Sequence, residues 1–274
     1  MQTLIVKIKY KWLGFWPTVK SIPLSFAWEN WEPLTVANFY QLIAQNPNSG
    51  ISSARGIVAI FLPKYADFLS DSYCLKIQTH FLPFWHNLPE KIPFTTFKQG
   101  GQEWALPLFG FDSITYVEFE EAMANLIAYM HTQSQDNLIG FLSVLVRPRN
   151  IQYQPDDPET AHQPQQPYNY ALYEKNKRKI AEFPPNLFLF LLHYLIKNAE
   201  DFLNKRAFAP LFVQSELTEE QQQSTKNLPP PTVWRQLRDD ATALPNFGDG
   251  DTIKKQNAAE VLRIIANHTK NNRT

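Results

Sequence analysis

A chain of 274 residues with 44% hydrophobic side chains can bury a substantial core, which excludes disorder along its whole length and fits one large domain or one domain with an appendage. Its 26 basic and 26 acidic side chains cancel, so no overall field draws in nucleic acid or an anionic membrane, and only a local patch could do so. Cys74 is the only cysteine, which excludes an internal disulfide and points to a reducing compartment.

At the start of the chain Leu4, Val6, Ile8 and Tyr10 alternate with Ile5, Lys7, Lys9 and Lys11, the period of a half-buried strand. The same lysines interrupt the apolar stretch that a signal peptide needs unbroken, so a cytoplasmic location is expected. Ile22, Leu24, Phe26 and Trp28 repeat the alternation, and the pair reads as a β-hairpin joined through Gly14 and Pro17. Thr35 can cap a helix carrying Val36, Phe39, Tyr40 and Ile43 on one face, ended by Asn46, Pro47 and Gly50. A second helix is expected over about 52–62. After Pro63, a third stretch contains Tyr65, Phe68, Leu69, Tyr73, Leu75 and Ile77, and these segments should pack as short antiparallel helices.

Phe94–Lys98 and Gln102–Leu106 flank Gly100-Gly101, a pair that reaches positive φ without steric cost and so suits a tight hairpin turn. Thr115 and Glu118 have the spacing of a capping box, in which each side chain satisfies the other residue's backbone N–H. The helix they open should direct Met123, Leu126, Ile127 and Met130 inward. Another helix, from about Asp136 to Leu145, has to stop near Pro148, because proline disfavours helical geometry in the residue before it. From Asn150 to Tyr170 the composition turns to proline, glutamine and acidic residues without hydrophobic period, the mark of a long solvated loop.

Behind Pro184-Pro185, Phe188, Leu191, Leu192, Leu195, Ala199 and Phe202 form the strongest helical stripe in the chain. Its greasiest part, Leu187–Ile196, contains His193 and falls well short of the roughly 20 apolar residues of a membrane span. Gln221–Gln223 and Pro229–Pro231 mark a linker. Beyond it Ala258, Val261, Leu262 and Ile265 keep helical spacing on a helix short enough to need docking. No internal repeat of solenoid length is visible. The expected fold is mainly α with some β (α+β): a helical bundle-like core with an N-terminal β-hairpin and a second small hairpin. The expected division is a core over 1–213 with a polar loop near 150–170, a Gln/Pro-rich linker over 214–231 and a C-terminal helical segment over 232–274.

None of the familiar chemical motifs occurs. His80 and His86 lack the close spacing that aims two ligands at one ion, and aromatic packing around Phe81, Phe84 and Trp85 accounts for them better. Asp249, Gly250 and Asp251 are followed by Lys254 and Lys255 where a calcium loop needs oxygen ligands, so a helix start capped by Asp251 or Thr252 is the better reading. GxSxG, GxxxxGK and GxGxxG are missing, and Cys74 has no basic sequence neighbour to activate it. The reading is therefore non-enzymatic, with no catalytic, cofactor-binding or metal-binding residues and no cofactor. The densest basic run, Lys175, Lys177, Arg178 and Lys179, follows Tyr168, Tyr170 and Tyr173. Aromatics beside cations can stack on single-stranded bases while the cations meet phosphates, but with a neutral total charge a solvated helix start beside the acidic loop of Asp156, Asp157 and Glu159 is the better reading of the run. Tyr168, Tyr170, Tyr173, Lys175, Lys177 and Arg178 are accordingly candidate partner-binding residues. The 14% aromatic content favours a protein as that partner, since aromatic side chains are enriched at protein interfaces.

Four segments occur in a characteristic order: IPLSFAWENWEPLTVANFYQLI, GGQEWALP, VLVRP at Val144–Pro148, and FPPNLFLFLLHYLIKNAEDFL. Over Ile22–Leu203, with a weaker echo at Trp234–Ile265, this arrangement resembles a family of tail-assembly-chaperone-like proteins encoded among the structural genes of tailed phages and prophages of Bacteroidetes-type bacteria. Where that family carries LYRP, Val146 stands here in place of the tyrosine, and the following loop is longer. The resemblance brings no catalytic residues. It implies an assembly factor or minor structural component of a phage tail or tail-like particle, acting by contacts with other particle proteins in the host cytoplasm or within the particle. A single-stranded nucleic-acid-binding or DNA-packaging accessory protein is the alternative, motivated by the Tyr168–Lys179 cluster.

Overall fold

The structure, a computed structural model, describes residues 3–12, 16–25, 31–46, 48, 50–86, 92–152, 164–212, 231–244 and 248–271. The described chain is mainly helical with two small β elements. It divides into two compact units, Met1–Phe97 with Pro184–Phe190, and Lys98–Phe183 with Leu191–Thr274. The C-terminal segment thus belongs to the second unit. Of the expected linker over 214–231, only Pro231 lies within the described residues.

In the first unit β1 (Thr3–Trp12) and β2 (Trp16–Ser25) pair antiparallel, with Thr3 opposite Ser25 and Trp12 opposite Trp16. Phe26 and Trp28, read as part of the second strand, and Gly14, read as its turn, lie outside the described residues. Helix α1 (Pro33–Gln45) starts two residues before the expected cap. Glu32 is its N-cap, and Pro33 takes the first turn, where its fixed φ fits and its missing N–H is not needed. Val36, Ala37 and Phe39 are buried, whereas Tyr40 and Ile43 are half-buried.

Helix α2 (Ile51–Phe61), a 3-10 turn (Pro63–Phe68), α3 (Asp71–Thr79) and the short α4 (Leu82–His86) follow in this unit. Phe68 and Leu75, read as packing positions, are exposed. The core is aromatic. Trp31 stands edge-on to Phe39 and Phe61 with centroids at 5.4 and 4.7 Å, and Phe61 lies 4.6 Å from Phe81. Such contacts add about 0.5–1.5 kcal/mol per pair beyond area burial. A buried hydrogen bond from Gln78 Nε2 to Ser53 Oγ at 2.7 Å ties α3 to α2.

In chain order, β3 (Thr96–Gln99), β4 (Gln102–Ala105) and β5 (Arg147–Pro148) form a three-stranded sheet in that spatial order. Gly100 and Gly101 turn the hairpin with φ of 59° and 72°, the left-handed pair that matches strand twist in two-residue turns. Helix α5 (Tyr116–Thr132) carries half of the expected capping box: Glu118 Oε2 accepts from the Thr115 N–H, while Thr115 Oγ1 is buried with no hydrogen-bond partner among the described residues. Its inward stripe lies nearer the N-terminus than expected. Tyr116, Phe119, Ala122 and Met123 are buried, Leu126 and Ile127 are half-buried, and Met130 is 68% exposed at the last turn. Helix α6 (Gln135–Leu145) ends where Pro148 requires, and Val146 is already extended.

Next come α7 (Tyr170–Ile180), α8 (Pro185–Leu203), α9 (Ala209–Phe212), α10 (Pro231–Thr242), α11 (Gly250–Lys255) and α12 (Ala258–Asn271). Every member of the stripe read on α8, from Phe188 to Phe202, is buried. The core of the second unit gathers around Phe119, whose ring meets Trp234 edge-on at 4.8 Å and lies 5.8 Å from Phe202. The C-terminal helices dock here. Tyr116 Oη donates to Trp234 O at 2.9 Å, Glu120 accepts from Arg238 at 2.8 Å, and the backbone bridges Thr115 to Asn257. Val261, Leu262 and Ile265 of α12 are buried as their spacing predicts.

Candidate functional site

Three polar side chains from distant parts of the chain meet in the interior of the second unit. Pro148 takes Arg147 out of helical geometry, so α6 runs directly into β5, where Ala105 of β4 lies opposite Arg147. Arg147 is only 7% exposed, and a charge so placed has to be paired and hydrogen-bonded. Its Nη1 donates to Glu118 Oε1, and its Nη2 to Gln165 Oε1 at 2.9 Å. Glu118 supplies that carboxylate from the first turn of α5, while its Oε2 accepts from the Thr115 N–H at 2.8 Å. Gln165 Nε2 donates to Ala105 O at 2.8 Å and also to Leu145 O.

Gln165 stands within the stretch read as solvated loop. The end of that stretch is packed instead: Pro164 and Gln165 are buried, Asn150 N donates to Pro164 O, and Gln166 N donates to Pro148 O, each at 2.9 Å. Once the chain returns beside β5, its backbone groups find partners there, which a proline-rich segment cannot supply for itself.

Beside this cluster opens a cleft of about 470 Å³. Pro107, Leu108, Ile114, Val117, Pro164 and Pro167 give it apolar walls, while Arg147, Glu118, Gln165 and Tyr168 add polar groups. Lys254, half-buried and 3.0 Å from Asp251, and Lys255, exposed, also line it. Arg147 Nε and Tyr168 Oη are buried and have no hydrogen-bond partner among the described residues. Burial raises the pKa of the Tyr168 phenol, with the Glu121 carboxylate adding to the shift, so the hydroxyl keeps its proton.

The candidate partner-binding residues separate. Tyr168 lines the cleft, and Asn169 caps α7 by accepting from the Ala171 N–H at 2.8 Å. Tyr170 is 67% exposed and stacks on Tyr173 with centroids at 5.8 Å. Tyr173 itself is buried, with its hydroxyl 3.4 Å from Asn125 Oδ1. Lys175 and Arg178 are exposed, whereas Lys177 pairs with Asp136 at 2.5 Å and Lys179 donates to Gln102. Burial opposes the charge on Lys177, but the Asp136 hydrogen bond and neighbouring negative groups outweigh it and its pKa rises.

His80 is exposed, and the side chain of His86 lies outside the described residues. Among the described residues no group of three or more His, Cys, Asp or Glu could hold a metal ion. Cys74 is buried, and burial pushes its thiol pKa up, away from the reactive thiolate. The Asp249 carboxylate, not Asp251 or Thr252, caps α11: it accepts from Thr252 N at 2.8 Å and Thr252 Oγ1 at 2.7 Å, and the bond from the Thr252 hydroxyl holds its pKa below the ordinary carboxylate value. Among the described residues, no helix is long and apolar enough to cross a membrane.

Arg147, Gln165, Lys254 and Lys255 were not among the candidates read from sequence. One signal did exist: Arg147 interrupts an apolar run from Leu138 to Pro148, where an arginine needs a buried partner. No family model matches the chain, and no curated protein or solved structure is detectably similar to it.

Proposed function

We propose that this protein is a non-enzymatic assembly factor or minor structural component of a phage tail or tail-like particle, working in the host cytoplasm through protein–protein contacts. The phage setting rests on the resemblance carried by the four collinear segments. The observation that supports a binding role is how the cleft's ionisable groups are used. Both Glu118 oxygens accept structural hydrogen bonds, and both ends of Gln165 are occupied. A carboxylate held by a guanidinium and an N–H is poorly placed to accept a substrate proton, whereas a fixed polar cluster beside apolar walls suits recognition. Exposed Phe109, Met130 and Tyr170 on the same unit provide further apolar contact surface.

Affinity purification from native lysate is expected to recover a tail or tube protein in stoichiometric amount. Recovery of the chain alone, with no phage-like gene beside its own, would overturn the reading.

One observation favours the alternative of a single-stranded nucleic-acid-binding or DNA-packaging role: exposed Tyr170 shares α7 with exposed Lys175 and Arg178. Oligonucleotide binding that falls steeply with salt would support it, because phosphate contacts release counterions. A flat salt response would exclude it.

A further inference from the structure

We infer that the outer edge of β1 pairs antiparallel with an extended acidic segment of a partner protein, whose carboxylates at alternate positions stand opposite Lys7, Lys9 and Lys11. The inference rests on reading this protein as one that acts through protein contacts, and adds where a partner docks and with what chemistry.

The first support is an open edge. β1 and β2 form a two-stranded sheet, and among the described residues no third strand and no backbone hydrogen bond from outside the hairpin reaches β1. All ten pairs from Thr3–Ser25 to Trp12–Trp16 are made, straight through Pro17 and Pro23. A proline has no N–H to give, so an unbroken ladder passes it only where its nitrogen faces away from the neighbouring strand. The pairs of Pro17 with Lys11 and of Pro23 with Ile5 are therefore the kind without mutual hydrogen bonds. Because the two kinds alternate along an antiparallel ladder, the pairs of Lys7 and Lys9 are of that kind too. The outer edge of β2 thus lacks a donor at both prolines. On β1 the main-chain N–H and C=O of Ile5, Lys7, Lys9 and Lys11 all point outward, where a further strand can meet them.

The second support is charge. Residues 3–25 hold Lys7, Lys9, Lys11 and Lys20 and no Asp or Glu, in a chain whose charges cancel overall. Alternate residues share a face, so Lys7, Lys9 and Lys11 occupy one face of β1 at steps of roughly 6–7 Å. A strand added antiparallel on this edge sets its own alternate residues directly opposite those lysines, where opposite charges attract and like charges repel. That rule selects the occupant. In the registers of greatest overlap a second copy of β1 would set Lys7 against Lys7 or against Lys9, the device by which edge strands resist self-pairing. Alternating Asp or Glu would instead meet a cation at every second position. Main-chain bonds then supply affinity and the charge pattern supplies selection. Single-stranded nucleic acid would answer the lysines but not the alternating donors and acceptors of the edge.

The test is titration of the full chain with the capped peptide Ac-Thr-Glu-Thr-Glu-Thr-Glu-Thr-NH2, read by calorimetry and by amide hydrogen exchange. The peptide is expected to bind and to slow exchange at Lys7, Lys9 and Lys11 at least about tenfold, while Val6, Ile8 and Tyr10, already bonded to β2, change little. Its lysine counterpart, and a peptide of the same composition with the three glutamates adjacent, should bind at least about tenfold more weakly. N-methylation of the glutamates should abolish binding and N-methylation of the threonines should not, because only residues directly opposite the lysines exchange main-chain bonds with β1. No binding of the alternating peptide, equal binding of the adjacent-acid peptide, indifference to N-methylation, or tighter binding of oligothymidylate would overturn the inference. So would amides of Lys7, Lys9 and Lys11 that are already protected in the free chain, since the edge would then be covered by this chain or a second copy.

Charge reversal separates recognition from folding. Lys7→Glu, Lys9→Glu and Lys11→Glu together should turn the preference toward the lysine peptide, a gain that a chain without the hairpin cannot make. Lys9→Gln, the milder change, should weaken the acidic peptide several-fold with an unchanged melting temperature. Variants that keep the wild-type preference and affinity would overturn the inference. Discrimination among these peptides without a recovered particle protein overturns only the assembly reading. A recovered particle protein with no such discrimination overturns only this inference.

Discussion

Arg147 shows how one residue can be both a structural necessity and the basis of a site. Its guanidinium, on a side chain that is buried, is held by Glu118 and Gln165. Removing one partner of a buried ion pair leaves the other charge uncompensated and costs roughly 3–5 kcal/mol, far more than the pair's net contribution. Glu118→Ala should therefore lower unfolding free energy by that amount in denaturant titration, and the lost capping bond adds to the effect. A loss under about 1 kcal/mol would mean that water reaches Arg147. Gly110 presents a different constraint. Its φ is +58°, and a Cβ there would meet Asn198 Oδ1 at 2.0 Å, the oxygen that accepts from the Phe111 N–H. Gly110→Ala should destabilise by more than about 1 kcal/mol, because strain and a displaced hydrogen bond combine.

Helices in this protein are held by packing more than by propensity, and α8 is the clearest instance. Leu192 and Leu195 are buried on its stripe, so each truncation to alanine should cost roughly 2–5 kcal/mol through lost transfer energy and the cavity left behind. Values under about 1 kcal/mol for both, in reversible denaturation, would show that the stripe is not core.

Helix α5 carries a pH-dependent element. Burial, then the nearby Glu120 carboxylate, raises the Glu121 pKa above its ordinary value of 4.5. A carboxyl with a raised folded-state pKa is better tolerated protonated. Stability from this group is therefore fully present below the unfolded pKa and is lost as pH rises through the folded one. Glu121→Gln should raise the melting temperature relative to wild type at pH 7 and have no such advantage at pH 4. An equal difference at both pH values would contradict the assignment.

Across the whole molecule, the C-terminal helices are part of the second unit's core. Trp234 packs edge-on against Phe119, Arg238 meets buried Glu120, and residues 256–258 exchange backbone bonds with 114–116. Deleting residues 231–274 should lower the melting temperature and expose the apolar faces of α5 and α8 to aggregation. A truncated chain that stays monomeric and melts as the full chain does would show that this docking contributes nothing to stability.

What the sequence determined by itself is local. Gly100-Gly101 specifies a left-handed turn because only glycine enters it without strain; Thr115 with Glu118 marks a helix start; Pro148 ends α6; and the α8 stripe repeats at the helical period. Each signal spans a few residues and acts through the geometry of one backbone segment. Burial departs from the sequence pattern where packing beyond the segment decides it: Met130 repeats the stripe of α5 yet is exposed, and Gln165 reads as solvated loop yet is buried against distant partners. The cleft belongs wholly to this second class. Arg147 lies 29 positions from Glu118 and 18 from Gln165, and Lys255 lies 108 positions beyond Arg147 (255 − 147). Only tertiary structure brings them together, because the electrostatic need of a buried guanidinium is written in one residue, while the groups that meet it are chosen by how sheet, helix and returning loop pack.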